Sequence, residues 1–181
     1  MARNIEIKAF VDDIESLISK AAALATEGPI DILQDDTFFQ CSTGRLKLRA
    51  FSDNEGELIF YRRADRQGPK ESFYLRSPTP TPAVLRESLT LACGVTGRVR
   101  KQRTLFMVGR TRIHLDRVEG LGHFIELEVV LDEGEPAAAG EAVARELMRA
   151  LDIEPARLIE GAYVDLLTAG GSRSDEPFRY D

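Results

Sequence analysis

Charged and aliphatic side chains alternate with a period of two in four separate stretches of this chain. Asn4, Glu6 and Lys8 stand opposite Ile5 and Ile7. Arg45, Lys47 and Arg49 stand opposite Leu46 and Leu48. Arg110, Arg112, His114 and Asp116 stand opposite Ile113 and Leu115, and Glu126 and Glu128 opposite Ile125, Leu127 and Val129. Successive side chains of a strand point to opposite faces, so each stretch reads as a strand with one apolar and one charged face. Two arrangements satisfy that pattern. An antiparallel sheet can turn its charged face to water while helices cover the other. Alternatively, the charged faces curve toward one another and enclose a polar cavity. Periodicity is the same for both.

The distribution of sign favours the cavity. A solvated face mixes charges, because a field of one sign repels itself. Here the bases fall at 45, 47, 49, 101, 103, 110 and 112, and the acids at 126 and 128. Between Arg98 and Arg117 there are seven Lys/Arg and one acid, in a chain of formal net charge −6. The stretch that closes this run, HLDRVEGLGHFIELEVVL at 114–131, holds Asp116, Glu126 and Glu128. Carboxylates are hard oxygen ligands for Mg²⁺ or Mn²⁺. Arginine forks and lysine point charges neutralise phosphate. A basic wall beside carboxylates therefore suits a polyanion bound with a divalent cation. Taken singly, Glu126 and Glu128 fit a solvated face equally well, and His114 fits a structural, hydrogen-bonded histidine.

Turn chemistry places these stretches in order. Strand 4–11 is followed by a helix capped by Asp12, with Glu15 completing a capping box, running to about Glu27 before Gly28-Pro29. Residues 30–41 and 45–52 are strands joined at Ser42-Thr43-Gly44, and 57–63 returns after Asn54-Glu55-Gly56. A turn at 65–69 precedes a short strand at 70–76. Ser77-Pro-Thr-Pro-Thr-Pro reads as a linker, with Thr81 as N-cap and Pro82 as the first residue of a helix ending near Cys93-Gly94. Strands 95–108 and 110–118 turn at Gly109, and a turn at 119–122 leads into strand 123–131. Helices at about 136–151 and 162–168 follow.

Composition bounds the class. A chain of 181 residues, 43% hydrophobic, supports one domain, here 1–169, with a Gly/Ser/charge-rich tail at 170–181 expected to be disordered. No apolar run approaches the ~18 residues of a membrane span, and the polar N-terminus has no signal-peptide core. Cys41 and Cys93 offer neither metal spacing nor a disulfide framework, which points to a cytoplasmic protein. The acidic pI of about 5.1 argues against a nucleic-acid partner and leaves a small-molecule polyanion. A homodimer is compatible with the sequence but not required by it.

The blocks, in their order, resemble the CYTH family of triphosphate tunnel metalloenzymes. Asn4-Ile5-Glu6-Ile7-Lys8 stands for the family's E-x-E-x-K motif. GRLKLR at 44–49, LIFYRR at 58–63, the Lys101/Arg103 pair and RIHLDRVEGLGHFIELE at 112–128 follow. GAYVDLL at 161–167 is similar to the closing segment of the CyaB-type branch. The resemblance covers about residues 3–168. It implies an α+β fold in which an antiparallel β-barrel forms a tunnel with a polar lumen and helices outside. It implies Glu6, Glu126 and Glu128 as ligands of Mg²⁺ or Mn²⁺, with Asp116 beside them as ligand or water-positioner. It implies Lys8, Lys47, Arg49, Arg63, Lys101 and Arg103 around a triphosphate, with Arg112 a further candidate by its face and Asp116, Lys101 and Arg103 closest to the chemistry. Arg63 is preferred to Arg62 because it completes a Tyr-x-Arg pattern with Tyr61. Asn4 departs from the motif by replacing its first acid. The family's activities leave two reactions open, class IV adenylate cyclisation and triphosphate hydrolysis, with a non-catalytic nucleotide or polyphosphate sensor as the alternative of another class. No Ser-His-Asp or Cys-His constellation suggests different chemistry.

Overall fold

Among the described residues, eight strands pair antiparallel in the order first-fifth-fourth-third-second-sixth-seventh-eighth, and the eighth pairs back onto the first to close the ring. The computed structural model describes residues 2–63 and 68–170. The strands are β1 (Ala2–Val11), β2 (Glu27–Phe39), β3 (Arg45–Ser52), β4 (Glu55–Arg63), β5 (Lys70–Thr79), β6 (Val95–Val108), β7 (Thr111–Val118) and β8 (Gly122–Val130). Four α-helices lie outside the ring: α1 (Ile14–Leu24), α2 (Pro82–Cys93), α3 (Ala137–Ala150) and α4 (Tyr163–Ala169). Among the described residues, no helix is long and apolar enough to cross a membrane. The expected turn at 65–69 falls partly outside the described residues, as does the tail beyond 170.

Alternation decides which face each strand buries. The aliphatic faces of β1, β7 and β8 turn outward onto α1 and α3. Ile5, Ile113, Leu115, Ile125, Leu127 and Val129 form one buried cluster with Leu17 and Ala21 of α1 and Ala144, Leu147 and Met148 of α3. Gly140 lets α3 approach this closely, because a Cβ there would lie 2.7 Å from Ile5 Cγ1 and 2.6 Å from Leu131 Cδ2. The charged faces of the same strands turn inward. The ambiguity between a solvated sheet and a cavity is thereby resolved in favour of the cavity.

Three local expectations are corrected. Asp13, not Asp12, caps α1: its backbone is extended and its Oδ1 accepts from Ser16 N–H at 3.0 Å, while Asp12 pairs with Arg157. The helix ends at Leu24 rather than near Glu27, because Thr26 N–H already donates to Met107 O at 2.7 Å and commits the chain to β6. Gly28-Pro29 instead marks a register shift within β2, where Gly28 has φ 108°. The Pro-rich linker begins as strand: Ser77, Pro78 and Thr79 pair with Leu58, Glu57 and Gly56 of β4. Proline is tolerated because β1 pairs with β5 only from Lys70 to Tyr74, leaving the far half as an edge.

Candidate active site

The inward faces enclose a cavity of about 270 Å³, lined by residues from all eight strands and by Ala162 and Tyr163. At one end it is stopped by a buried apolar cluster of Phe38, Val99, Val118, Phe124, Tyr163 and Val164. The α4 helix is fixed there from both sides. Asp165 accepts from Ala162 N–H at 2.7 Å and takes both forks of Arg45, at 2.9 and 2.7 Å. The Tyr163 ring lies 3.8 Å from Lys8 Nζ and 4.8 Å from Lys101 Nζ. Such cation–π contacts gain strength away from water. A larger depression of about 1060 Å³ is lined by β2, β3, β6, the start of α2 and the β7–β8 turn, and shares Gln34, Phe51 and Lys101 with the tunnel. It is the smaller tunnel that gathers the charged constellation.

Inside, the cations are organised by two carboxylates. Asp116 is fully buried and accepts from Lys101 Nζ at 3.1 Å, from Arg103 Nε and Nη2 at 2.7 Å each, and from the Tyr163 hydroxyl at 2.9 Å. Asp36 accepts from Lys47 Nζ, Arg49 Nε and Arg49 Nη2, each at 2.7 Å. Burial pushes both acids up, but the flanking guanidinium and ammonium groups outweigh it and hold both below the ordinary carboxylate range. Burial, with help from neighbouring arginines, pulls Lys47 down to about 7 and Lys101 to about 8. Lys8 pairs with Glu126 Oε1 at 2.7 Å, and Arg103 Nη2 donates to Glu126 Oε2 at 2.6 Å.

Next to this network, His114, Glu126 and Glu128 offer one ligand atom each within 4.8 Å of one another. Hairpin register sets this up: His114 stands opposite Glu126, and Arg112 opposite Glu128. His114 Nδ1 lies 3.7 Å from both carboxylates, too far for a hydrogen bond. Burial, then Arg103, lowers its pKa, which favours the neutral imidazole that a metal needs. Glu6 stands directly opposite Glu128 in the β1–β8 register, an arrangement that like charges disfavour. His114 Nδ1 and Asn4 Oδ1 are buried without a hydrogen-bond partner. Two orphaned acceptors and opposed carboxylates fit a divalent cation. Two oxygen donors and one imidazole are the ligand types shared by Mn²⁺ and its neighbours, while Mg²⁺ takes oxygen alone more readily.

The sequence-predicted residues therefore separate into groups. Glu126 and Glu128 come together with His114. Glu6 and Asp116 line the same tunnel or its wall but stand outside that group. Asp116 has its oxygens engaged by Lys101, Arg103 and Tyr163. Lys8, Lys47, Arg49, Lys101, Arg103 and Arg112 all face the cavity. Arg112 Nη1 reaches Glu128 Oε2 at 3.3 Å. The Arg63 side chain lies outside the described residues. Two bases are engaged outside the cavity lining: Arg45, on the same face of β3 as Lys47 and Arg49, is paired with Asp165 of α4, and Arg110, in the β6–β7 turn, takes Glu135 at 2.6 Å. Segregation of sign by strand is corrected as well, since Asp36 sits within the basic wall. Nothing in the sequence alone marks Asp36 or Tyr163 for a role, and His114 fits a structural histidine there.

The sequence and the fold both have counterparts. The CYTH domain family matches residues 2–163. The PH1012 protein of Pyrococcus horikoshii superposes with a TM-score of 0.80 at 23% identity, covering 90% of this chain and 98% of its own. A Vibrio parahaemolyticus protein provisionally named an adenylate cyclase gives 0.72 at 16% identity, covering 91% and 97%. HpAC1 from Hippeastrum, reported with a dominant triphosphatase activity, gives 0.65 at 16% identity, covering 94% and 96%. No curated protein matches the sequence.

Proposed function

Because the chain belongs to the CYTH domain family, we propose that it is a divalent-metal-dependent enzyme acting on a triphosphate-bearing substrate, with conversion of ATP to cyclic AMP and pyrophosphate as its leading reaction. One observation carries the reading. Lys47, Arg49, Lys101 and Arg103 converge on a cavity that also holds the His114, Glu126 and Glu128 group. Four cations, Lys101 and Arg103 buried and Lys47 and Arg49 half-buried, held by two carboxylates leave an excess of positive charge that a polyphosphate would neutralise. Mn²⁺ or Mg²⁺, held by Glu126, Glu128 and His114, would supply further charge neutralisation on phosphate oxygens. The protein's own groups then orient the chain. The guanidinium forks of Arg49 and Arg103 fix oxygen positions, and Lys8, Lys47 and Lys101 add point charges. In cyclisation the ribose 3′-hydroxyl attacks the α-phosphorus and pyrophosphate leaves. No covalent nucleophile is required.

Hydrolysis is the second reading, and the size of the cavity favours it. About 270 Å³ falls below the roughly 300–1,000 Å³ of pockets that enclose drug-sized ligands. That space suits the phosphate chain and leaves any nucleoside at the mouth, so the organic group is not demanded. The activity reported for HpAC1 points the same way. Incubation with ATP, tripolyphosphate and thiamine triphosphate, each with Mn²⁺ or Mg²⁺, separates the readings. Cyclic AMP with pyrophosphate supports the cyclase. Free phosphate supports the hydrolase. Tight binding without product overturns both in favour of a sensor.

A further inference from the structure

Asp36 is 2% exposed on the tunnel side of β2, and neither metal binding nor turnover accounts for it. It stands outside the His114, Glu126 and Glu128 group. Its two oxygens accept three short hydrogen bonds from Lys47 and Arg49. The same figure occurs once more in the tunnel. In each case the arginine faces the aspartate directly across a ladder, Asp36 with Arg49 and Asp116 with Arg103. In each case a lysine two residues earlier bonds the same carboxylate. The two copies differ in one respect. Arg103 also donates to Glu126, so the Asp116 copy is tied to the candidate metal wall. Lys47 and Arg49 make their bonds to Asp36 and none to Glu126 or Glu128.

We propose that Asp36 is a positioning residue that makes Lys47 and Arg49 a metal-independent clamp for the non-reacting end of the polyphosphate, while the Asp116 copy holds the reacting end beside the metal. The inference rests on the triphosphate reading. Asp36 spends Arg49 Nε and Nη2 on a fixed fork, which aims the remaining Nη1 edge at an anion. One carboxylate against two cations leaves the clamp with a net positive charge. Lys47 is faced by Asp36 on β2, Arg49 on its own strand, Lys101 on β6 and the Tyr61 ring on β4. Burial first, then Arg49, holds Lys47 at about 7 against the pull of Asp36. Lys47 is charged below that value, so the clamp loses a charge as pH rises through 7. Without Asp36 that loss moves to lower pH.

Calorimetric titration with tripolyphosphate, in EDTA and again with Mn²⁺, tests this. The wild type is expected to bind in EDTA and more tightly with Mn²⁺. Asp36→Asn is expected to raise the metal-free Kd about tenfold or more, the equivalent of losing one charge-assisted bond. Asp36→Glu restores most of that loss. Glu128→Gln removes the gain from Mn²⁺. Lys47→Arg, which stays charged, abolishes the part of the wild-type pH dependence between pH 6 and 8 that Lys47 supplies. The clamp is overturned if Asp36→Asn binds in EDTA as the wild type does, if the wild type binds only with Mn²⁺, or if Lys47→Arg keeps the wild-type pH profile. If Asp36→Asn does not fold, the Lys47→Arg profile decides. Failure of the wild type to bind tripolyphosphate with Mn²⁺ overturns the triphosphate reading itself, and the clamp with it.

Discussion

The wall of the tunnel formed by β1, β7 and β8 and the wall formed by β2 to β5 are built from the same alternation but backed differently. Behind the first, Ile5, Ile113, Leu115, Ile125, Leu127 and Val129 are sealed under α1 and α3. Behind the second, Leu33 and Leu75 are largely exposed, and α2 buries only Pro82 among its residues. His114, Glu126 and Glu128 stand on the sealed wall; Lys47 and Arg49 stand on the thinly covered one. On the proposed function, the difference fits the demands on each. Metal ligands must hold positions to a fraction of an ångström, which a close-packed backing provides. Cations that receive a flexible polyanion tolerate more play.

The largest effect that would sharpen this contrast comes from removing the carboxylate that organises the sealed wall. Asp116→Ala leaves Lys101 and Arg103 buried without their common partner and is expected to cost about 3–5 kcal/mol, read from urea unfolding. The pH dependence has a definite sign. Asp116 is held below the ordinary carboxylate range, so its contribution is present above the unfolded value of about 3.9 and disappears as pH falls through the folded value. The gap between wild type and variant should therefore shrink below about pH 4. Persistence of the full gap in strong acid would break the assignment.

Glu126→Gln comes next. It is expected to lower metal-dependent turnover by roughly 10²–10³-fold, comparable to losing one preorganised electrostatic group. Full activity in that variant would sink the metal-site assignment. A smaller gain is expected from Asn4→Glu, which puts the acid of the family motif in place of the orphaned Asn4 Oδ1. Mn²⁺ affinity should rise by about tenfold, within the range attributed to groups around a metal. An unchanged Mn²⁺ titration would show that residue 4 does not face the ion. The smallest effects form a pair that compares the two backings directly. Ile125→Val behind the sealed wall is expected to cost about 0.5–1.5 kcal/mol. Leu33→Ala behind the other should stay within about 0.5 kcal/mol. Equal costs would remove the distinction.

Much of the sealed wall is legible in the sequence because it is unusually regular. At 113–115 and again at 125–129 every second residue is aliphatic, and a Gly-rich turn lies between the two runs. The observed hairpin has a three-residue loop, Val118 pairing with Gly122, and this sets His114 opposite Glu126; the four-residue turn expected at 119–122 sets it opposite Leu127, so His114 reads as structural in the sequence. The other wall is harder to read. In Gln34-Asp35-Asp36-Thr37-Phe38-Phe39 both faces carry polar and apolar groups, and both are buried at Phe38 and Phe39. Alternation then no longer says which aspartate points inward. The duplicated Lys-x-Arg pairs at 47–49 and 101–103 gave a second clue, because one aspartate serving the second pair suggests another serving the first. Tyr163 was beyond reach from local pattern. Its role depends on α4 folding back over the end of the ring, a contact between residues more than forty positions apart.

The unpaired half of β5 has a consequence for how the chain behaves among its copies. A closed ring offers no free backbone ladder to a neighbouring molecule, which protects it against strand addition and fibre growth. Among the described residues, pairing with β1 stops at Tyr74, and from Leu75 to Thr79 that closure lapses on the β1 side. The segment there reads Leu-Arg-Ser-Pro-Thr, with a charge and a proline where an incoming strand would seek donors. Exchanging Pro78 for a β-branched residue would supply the missing N–H and turn this short gap into a template for self-association, visible as concentration-dependent light scattering.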